Sequence, residues 1–187
     1  KLKTKNETNY NLKILDPACG SGIFLVESFK RLVKRWKNAN PDRKIEFKDL
    51  REIVKNNIYG IELDKYAIRV AAFSIYLAIV EQLNPKTLWS DKRYKFPYLI
   101  SDTKDESLEQ GSNLFRADTI GEINPNDFPK FDLVIGNPPF GAKIKLPSVR
   151  KFLDHHGYGK DLVIPFLRKA VDFTESGSIA LIFNTKI

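Results

Sequence analysis

The stretch "FDLVIGNPPF" (residues 131–140) ends an apolar run with an amide side chain, two prolines and an aromatic ring. Each proline fixes φ at about −65°, so Pro138 and Pro139 stiffen the main chain directly after Asn137. The Asn137 side-chain oxygen and the Pro138 carbonyl oxygen can then act as two fixed hydrogen-bond acceptors. Together they suit an amino group on a planar ring, with that ring stacked on Phe140. The alternative is a turn that only ends a strand.

A second stretch, "DPACGSG" (16–22), joins a predicted strand to a predicted helix through Gly20 and Gly22. Glycine permits positive φ and lacks the Cβ that would keep a ligand off the main chain. The helix N-terminus presents amide N–H groups at the same place. Leu25 stands where the dinucleotide-binding fingerprint requires a third glycine. Asp16 would repel a pyrophosphate but suits a ligand with an ammonium group; the alternative is an ordinary tight turn.

The third stretch, "GIELD" (60–64), places Glu62 at the end of the second predicted strand. An acidic residue at this point typically accepts hydrogen bonds from ribose hydroxyls. The alternative is a solvated carboxylate that caps the next helix, although Asp64 fits that role better as N-cap. A ligand with both an amino-acid ammonium group and a nucleoside ribose is S-adenosylmethionine. The amino group held at Asn137 would attack its methyl group, and a base in duplex DNA would have to be flipped out to arrive there.

The elements that position these stretches alternate between strands and helices. Helical spacing starts at Gly22, and further helices are predicted over 47–57, 65–83 (apolar nearly all round, hence largely buried) and 161–176 with Gly177 as its C-cap. Strands are predicted over 12–17, 57–64, 131–136 and 178–184, with one or two short strands within 84–130 and a basic loop over 141–160. This order indicates an α/β fold with a mostly parallel sheet and helices on both faces. Ligands bind beyond the carboxyl ends of such strands, so we expect the three stretches to meet in one crevice.

The composition indicates the setting for this chemistry. The chain has 187 residues, 42% of them hydrophobic, and a net charge of +8, which favours an anionic partner such as nucleic acid. Cys19 is its single cysteine, which excludes an internal disulfide and a Cys-rich zinc site. No signal peptide is predicted, and the uncharged run 70–80 is expected to be too short to cross a bilayer. We therefore expect a soluble cytoplasmic protein of one domain and, because methionine is absent even at position 1, a fragment of a longer chain.

In this order, "DPACGSGIFL", "GIELD" and "FDLVIGNPPFG" resemble the DNA methyltransferases that modify the N6 amino group of adenine, in particular the methylase parts of bacterial restriction–modification enzymes. The resemblance runs from about residue 12 to residue 187. It implies a Rossmann-like S-adenosylmethionine-dependent methyltransferase fold, with the catalytic residues Asn137, Pro138, Pro139 and Phe140. The cofactor residues that it implies are Asp16, Ala18, Gly20, Gly22, Glu62, Leu63 and, within "GSNLF" (111–115), Ser112 and Asn113.

The resemblance also implies a partner, double-stranded DNA. Members of the family carry a further cofactor-contacting segment upstream of the glycine turn, and only 15 residues precede Asp16 here. They also need a target-recognition domain, usually downstream, and this sequence stops at Ile187. We therefore expect a target-recognition domain or specificity subunit to lie outside this chain.

Several other polar residues are interpreted more simply. Cys19 is a small residue that fits the turn, and no cluster that includes His155 or His156 has metal-ligand spacing, so no metal is expected. The basic residues of the loop 141–160 either contact DNA phosphates or form a solvated surface. They are Lys143, Lys145, Arg150, Lys151 and Lys160.

Two other functions remain open at this point. Methyltransferases of guanine N2 in ribosomal RNA and of glutamine in release factors also use Asn-Pro-Pro-aromatic, because both act on planar nitrogen. A methylase-like fold could instead serve as a catalytically silent DNA-binding subunit. The intact "DPACGSG" and "NPPF" stretches argue against a silent subunit, since a scaffold needs neither.

Overall fold

A computed structural model of the chain describes residues 8–84, 94–105, 107, 109–139, 147–158 and 162–183. The strands are β1 (Ile14–Asp16), β2 (Ile58–Glu62), β3 (Ile100–Ser101), β4 (Leu114–Arg116), β5 (Leu133–Gly136) and β6 (Ser178–Leu181). The helices are α1 (Ile23–Ala39), α2 (Phe47–Asn57), α3 (Lys65–Val80), α4 (Pro147–His156) and α5 (Val163–Phe173). A short 3₁₀ turn covers Pro125–Asp127.

The described strands form one sheet in the order β3-β4-β2-β1-β5-β6, and every pair in it is parallel. From β1 the chain first builds the β2 side of the sheet and then crosses back to place β5 on the other side of β1. This reversal of direction between β1 and β5 opens a crevice at the carboxyl ends of the strands. The residues that follow β1 and β5 therefore lie side by side.

Helices cover both faces of the sheet, as the strand–helix alternation predicts. On one face, α1, α2 and α3 pack into the large core cluster that includes Leu25, Phe29 and Ile75. On the other face, α5 packs with Phe173 and Ala170 against Leu15, Ile61 and Val134. Burial of these nearly continuous apolar strands on both sides is what a parallel sheet requires. The predicted Rossmann-like α/β fold is confirmed.

Helix α3 differs from the prediction in its burial. Its N-cap is Asp64 as predicted, since this carboxylate accepts hydrogen bonds from the N–H groups of Tyr66 and Ala67 at 2.8 Å. However, the helix buries only one side, because it packs against α1 and the sheet but has no described element on its outer face. Its outer side leaves about half or more of several large apolar side chains exposed: Tyr66, Val70, Phe73 and Leu77.

The prediction of a basic loop over 141–160 is wrong for residues 147–156, which form α4. Pro147 opens this helix, a position that tolerates its missing N–H. Val149 and Leu153, four residues apart, bury the inner side of the helix against Ile120 and Phe166. The many charges around these two residues hide a short amphipathic pattern.

The last helix is shorter than the predicted range 161–176, and its C-cap is Thr174, whereas the prediction gave Gly177. The glycine is explained by close packing instead, because a Cβ at Gly177 would lie 2.3 Å from the Phe131 carbonyl oxygen. The region 84–130 contributes β3 and β4, in agreement with the expected one or two short strands.

Candidate active site

Asp16 ends β1 and lies almost completely buried, with 1% of its surface exposed. Its Oδ1 accepts a hydrogen bond from the Ala18 N–H at 3.0 Å. Burial raises the pKa of Asp16 to about 7; the Ala18 N–H opposes this shift, and the nearby charge of Glu62 adds to it. A buried carboxyl group with no cation beside it among the described residues is poised to accept a positively charged ligand group.

Glu62 ends β2 and fastens the glycine turn to the sheet. Its Oε2 accepts a hydrogen bond from the Gly20 N–H at 2.8 Å, and its Oε1 accepts one from the Asp64 N–H at 2.9 Å. The Cys19 N–H adds a further link to the Ile61 carbonyl oxygen at 3.0 Å. A carboxylate has about four lone-pair sites, so these bonds leave room for two hydroxyl donors on Glu62.

The two glycines of the turn adopt the conformations that the sequence predicts. Gly20 has φ +52° and Gly22 has φ +84°, both in the region that other residues rarely enter. Gly22 is also the N-cap of α1, and a Cβ there would approach Ala71 of α3 to 3.0 Å. The turn is therefore held between α3 and Glu62, with the N-terminus of α1 directed at the crevice.

The "NPPF" stretch begins where β5 meets this turn. A Cβ at Gly136 would lie only 2.6 Å from Asp16 Oδ1, so the end of β5 is in direct contact with the buried carboxyl group. Asn137 is exposed, and its side chain makes no hydrogen bond to any described residue. Pro138 is buried and anchors the chain between Asn137 and the exposed Pro139. Phe140 lies outside the described residues, and its predicted stacking role stays a prediction.

The remaining residues around the turn also lie at the carboxyl edge of the sheet. Ala18 packs against the apolar cluster under α4. Leu63 follows Glu62 and is 48% exposed. Cys19 is buried beside Gly60, and burial together with the charge of Asp16 raises the pKa of its thiol. A thiol with a raised pKa is a poor nucleophile, which agrees with its interpretation as a small packing residue.

The structure does not bring Ser112 and Asn113 to this crevice. They precede β4 and therefore lie at the amino ends of the strands, on the far side of the sheet from Asp16. The Asn113 side-chain nitrogen donates to the carbonyl oxygens of Val54, Lys55 and Ile58 at 2.8–3.1 Å. Asn113 thus ties the end of α2 to the sheet, and the expectation of a cofactor contact is corrected on this point.

The sequence motifs do not predict a role for the residues that follow β4 at the carboxyl edge of the sheet. Thr119 donates a hydrogen bond to the Pro17 carbonyl oxygen and so fixes the back of the glycine turn. Asp118 is buried and accepts bonds from the Ile120 and Gly121 N–H groups, and burial raises its pKa. Polar residues do follow "LFR" in the sequence, but they indicate a site only when the end of β4 is known.

The described ranges lack two other kinds of feature, a cluster of metal-binding side chains and a membrane-spanning helix. No three His, Cys, Asp or Glu side chains there are grouped so that they could hold a metal ion. No helix in the same part of the chain is long and apolar enough to span a membrane.

The chain is similar to curated proteins of restriction–modification systems. The "Type II restriction enzyme and methyltransferase RM.Eco57I" of Escherichia coli is 30% identical over 148 residues, which cover 71% of this chain and 15% of that protein. The "Adenine-specific methyltransferase PglX" of Streptomyces coelicolor is 25% identical over 154 residues, which cover 69% of this chain and 12% of that protein. The chain therefore spans less than a sixth of the length of either relative.

A solved structure and a family model agree with these relatives. The Type IIL restriction-modification enzyme MmeI, solved in complex with DNA, superposes with a TM-score of 0.59 and 22% identity over 95% of this chain and 26% of that one. This likeness supports the fold. The sequence model described as Eco57I restriction-modification methylase matches residues 56–187, which is more than half of the chain. The chain belongs to the Eco57I restriction-modification methylase family.

Proposed function

We propose that this chain transfers a methyl group from S-adenosylmethionine to the N6 amino group of adenine in DNA, as the catalytic core of a restriction–modification enzyme. The observation that carries the proposal is the contact between Gly136 and Asp16 Oδ1. It puts the acceptors of "NPPF" directly beside a crevice whose carboxylates suit an amino-acid nucleoside.

The residues of the crevice fit S-adenosylmethionine in two respects. The buried carboxyl group of Asp16 can bind the ammonium group, which would stabilise its charged form. Glu62 retains acceptor sites for the two ribose hydroxyls while it holds the Gly20 N–H. When bound, S-adenosylmethionine supplies an electrophilic methyl group on its sulfonium.

Asn137 and Pro138 prepare the attacking amine. The lone pair of an exocyclic amino group is delocalised into its ring and is a poor nucleophile. The Asn137 side-chain oxygen and the Pro138 carbonyl oxygen would accept hydrogen bonds from its two N–H groups. These bonds would draw the nitrogen toward tetrahedral geometry and localise its lone pair for attack. Because Pro138 is buried and rigid, its carbonyl oxygen would be in place before the reaction begins. Asn137 is exposed, so the proton released after methylation can pass to solvent.

The target base reaches this site only after it is flipped out of the duplex, at a cost of a few kcal/mol. Phe140 follows the two acceptors in sequence and would offset part of this cost by stacking. Arg150 and Lys151 are exposed on α4, which packs beside Ala18, and in this proposal they would contact backbone phosphates near the flipped base. Recognition of the DNA sequence falls to a target-recognition domain or specificity subunit outside residues 1–187.

Substitution of Asn137 tests the proposal. In the intact protein, Asn137→Ala should bind cofactor and DNA normally but lose at least 100-fold in methyl transfer, about 2.7 kcal/mol of transition-state stabilisation. Asn137→Asp should retain more activity, because a carboxylate oxygen still accepts the hydrogen bond. Asn56→Ala on the exposed side of α2 is the matched control. Full transfer of tritiated methyl by Asn137→Ala would refute the assigned role.

A further inference from the structure

A second cavity lies at the opposite end of the sheet from the candidate active site. It is an open cavity with a volume of about 390 Å³, lined by α2, by residues 95–98 ahead of β3 and by residues 110–112 ahead of β4. The cavity therefore faces the amino ends of the strands. Its volume falls within the range of small-molecule sites, about 300–1,000 Å³.

The lining of this cavity carries an uncompensated positive charge. Arg51, Lys55 and Lys95 all line it, and no Asp or Glu is found among its described lining residues. None of the three cations forms an ion pair within the described part of the chain. Glu109 lies close to the cavity, since its carboxylate is hydrogen-bonded to Tyr98 of the lining. Three cations in one concave site favour an anionic ligand.

One buried polar atom at this cavity has no partner. In the described ranges, the buried side-chain atoms without a hydrogen bond are Arg51 Nε and Asn113 Oδ1. Arg51 lines the cavity, whereas Asn113 is almost fully buried behind the lining residue Ser112 and does not line it. Buried donors and acceptors are normally satisfied, so each exception calls for a ligand or a water. Because the Asn113 nitrogen already binds three carbonyl oxygens at the end of α2, its oxygen cannot exchange places with it.

We propose that this cavity binds the phosphate ester of a nucleotide, with the phosphoryl group on Arg51, Lys55 and Lys95. A guanidinium matches the oxygens of a phosphate in geometry as well as in charge. Tyr98, which is 58% exposed, offers a flat ring at the rim against which a base can stack. A free nucleotide and one nucleotide unit of a DNA strand present this same chemistry. The site does not share a residue with the candidate active site.

Titration calorimetry of the intact protein tests this proposal, with adenosine 5′-monophosphate and inorganic phosphate as probes. Saturating S-adenosylhomocysteine is included so that the nucleotide does not bind in the cofactor crevice. Arg51→Gln should weaken the binding of both probes at least tenfold. Tyr98→Ala should weaken the binding of the nucleotide at least threefold and leave the binding of inorganic phosphate unchanged.

A matched control removes two exposed charges elsewhere, in the variant Lys34→Gln/Lys44→Gln, and should bind both probes as the wild type does. If Arg51→Gln does not fold, the double variant Lys55→Gln/Lys95→Gln takes its place, since both side chains are exposed. Displacement of the nucleotide by a short DNA duplex would identify the DNA backbone as the source of the phosphate, and no displacement would identify a free nucleotide. Absence of binding, or equal affinity in the cavity variants and the control, would overturn the proposal.

Discussion

Asp16 should make the unliganded protein less stable as the pH rises. Burial raises its pKa to about 7 in the folded state, whereas the ordinary value is 3.8. The folded protein therefore holds this proton over a range of pH in which the unfolded chain has lost it. The stabilisation from protonated Asp16 is complete below the unfolded pKa, declines from about pH 4 upward, and is lost once the pH passes about 7.

The size of this effect follows from the shift. Between the two pKa values, one proton separates the folded and unfolded states, so the unfolding free energy falls by about 1.4 kcal/mol for each pH unit. From pH 5 to pH 7 the loss is about 2 kcal/mol. This is a large fraction of the stability of an ordinary domain, about 5–15 kcal/mol.

Urea unfolding at pH 5 and pH 8 measures this loss. Other titrating groups contribute equally to wild type and variant, so the informative quantity is the difference between wild type and Asp16→Asn. Asn keeps an oxygen for the Ala18 N–H but cannot ionise. We expect Asp16→Asn to gain about 3 kcal/mol relative to the wild type between pH 5 and pH 8. The exposed Asp42→Asn serves as the control and should show no such gain. If the difference in unfolding free energy between wild type and Asp16→Asn is the same at both pH values, the raised pKa of Asp16 is refuted.

Three further predictions concern neighbouring residues. Gly136→Ala should lower both cofactor affinity and methyl transfer at least tenfold, because its Cβ would lie 2.6 Å from Asp16 Oδ1. In an Asp16→Ala background, the same change should lower the unfolding free energy much less. A double-mutant cycle measured by urea unfolding tests this difference. Glu62→Ala should lower the affinity for S-adenosylmethionine at least tenfold, about 1.4 kcal/mol. Equal affinity of wild type and variant by calorimetry would contradict the ribose contact of Glu62. Phe140→Ala should weaken the hold on the flipped base by about 1–3 kcal/mol, and Phe140→Trp should largely restore it, as measured by binding to duplexes with a mismatched target.

The parts of the site that depend on local chemistry were predictable from the sequence. Gly20 and Gly22 have the positive φ values that their turn predicts. Asp64 caps α3 because its side chain reaches the N–H groups two and three residues ahead. Glu62 was assigned to the ribose, and its second task of holding the Gly20 N–H depends on how the turn folds back over β2.

The errors come from contacts between distant parts of the chain. The motif predicts that Ser112 and Asn113 contact the cofactor, but β4 begins after them, so they lie at the other edge of the sheet. The contact between Gly136 and Asp16 requires β5 to pair with β1, 120 residues away along the chain. The exposed side of α3 depends on which elements cover it, which an apolar helix does not specify by itself.

This crevice and the "NPPF" stretch are proposed to methylate adenine at N6 in DNA. The most direct measurement is transfer of a tritiated methyl group from S-adenosylmethionine by the intact protein to duplex DNA, followed by digestion to nucleosides and identification of the labelled product by mass. We predict N6-methyladenine, with loss of the label in Asn137→Ala. Label on cytosine N4 would contradict the assignment to adenine. Absence of label from the DNA, with transfer to RNA or to protein offered in its place, would contradict DNA as the substrate.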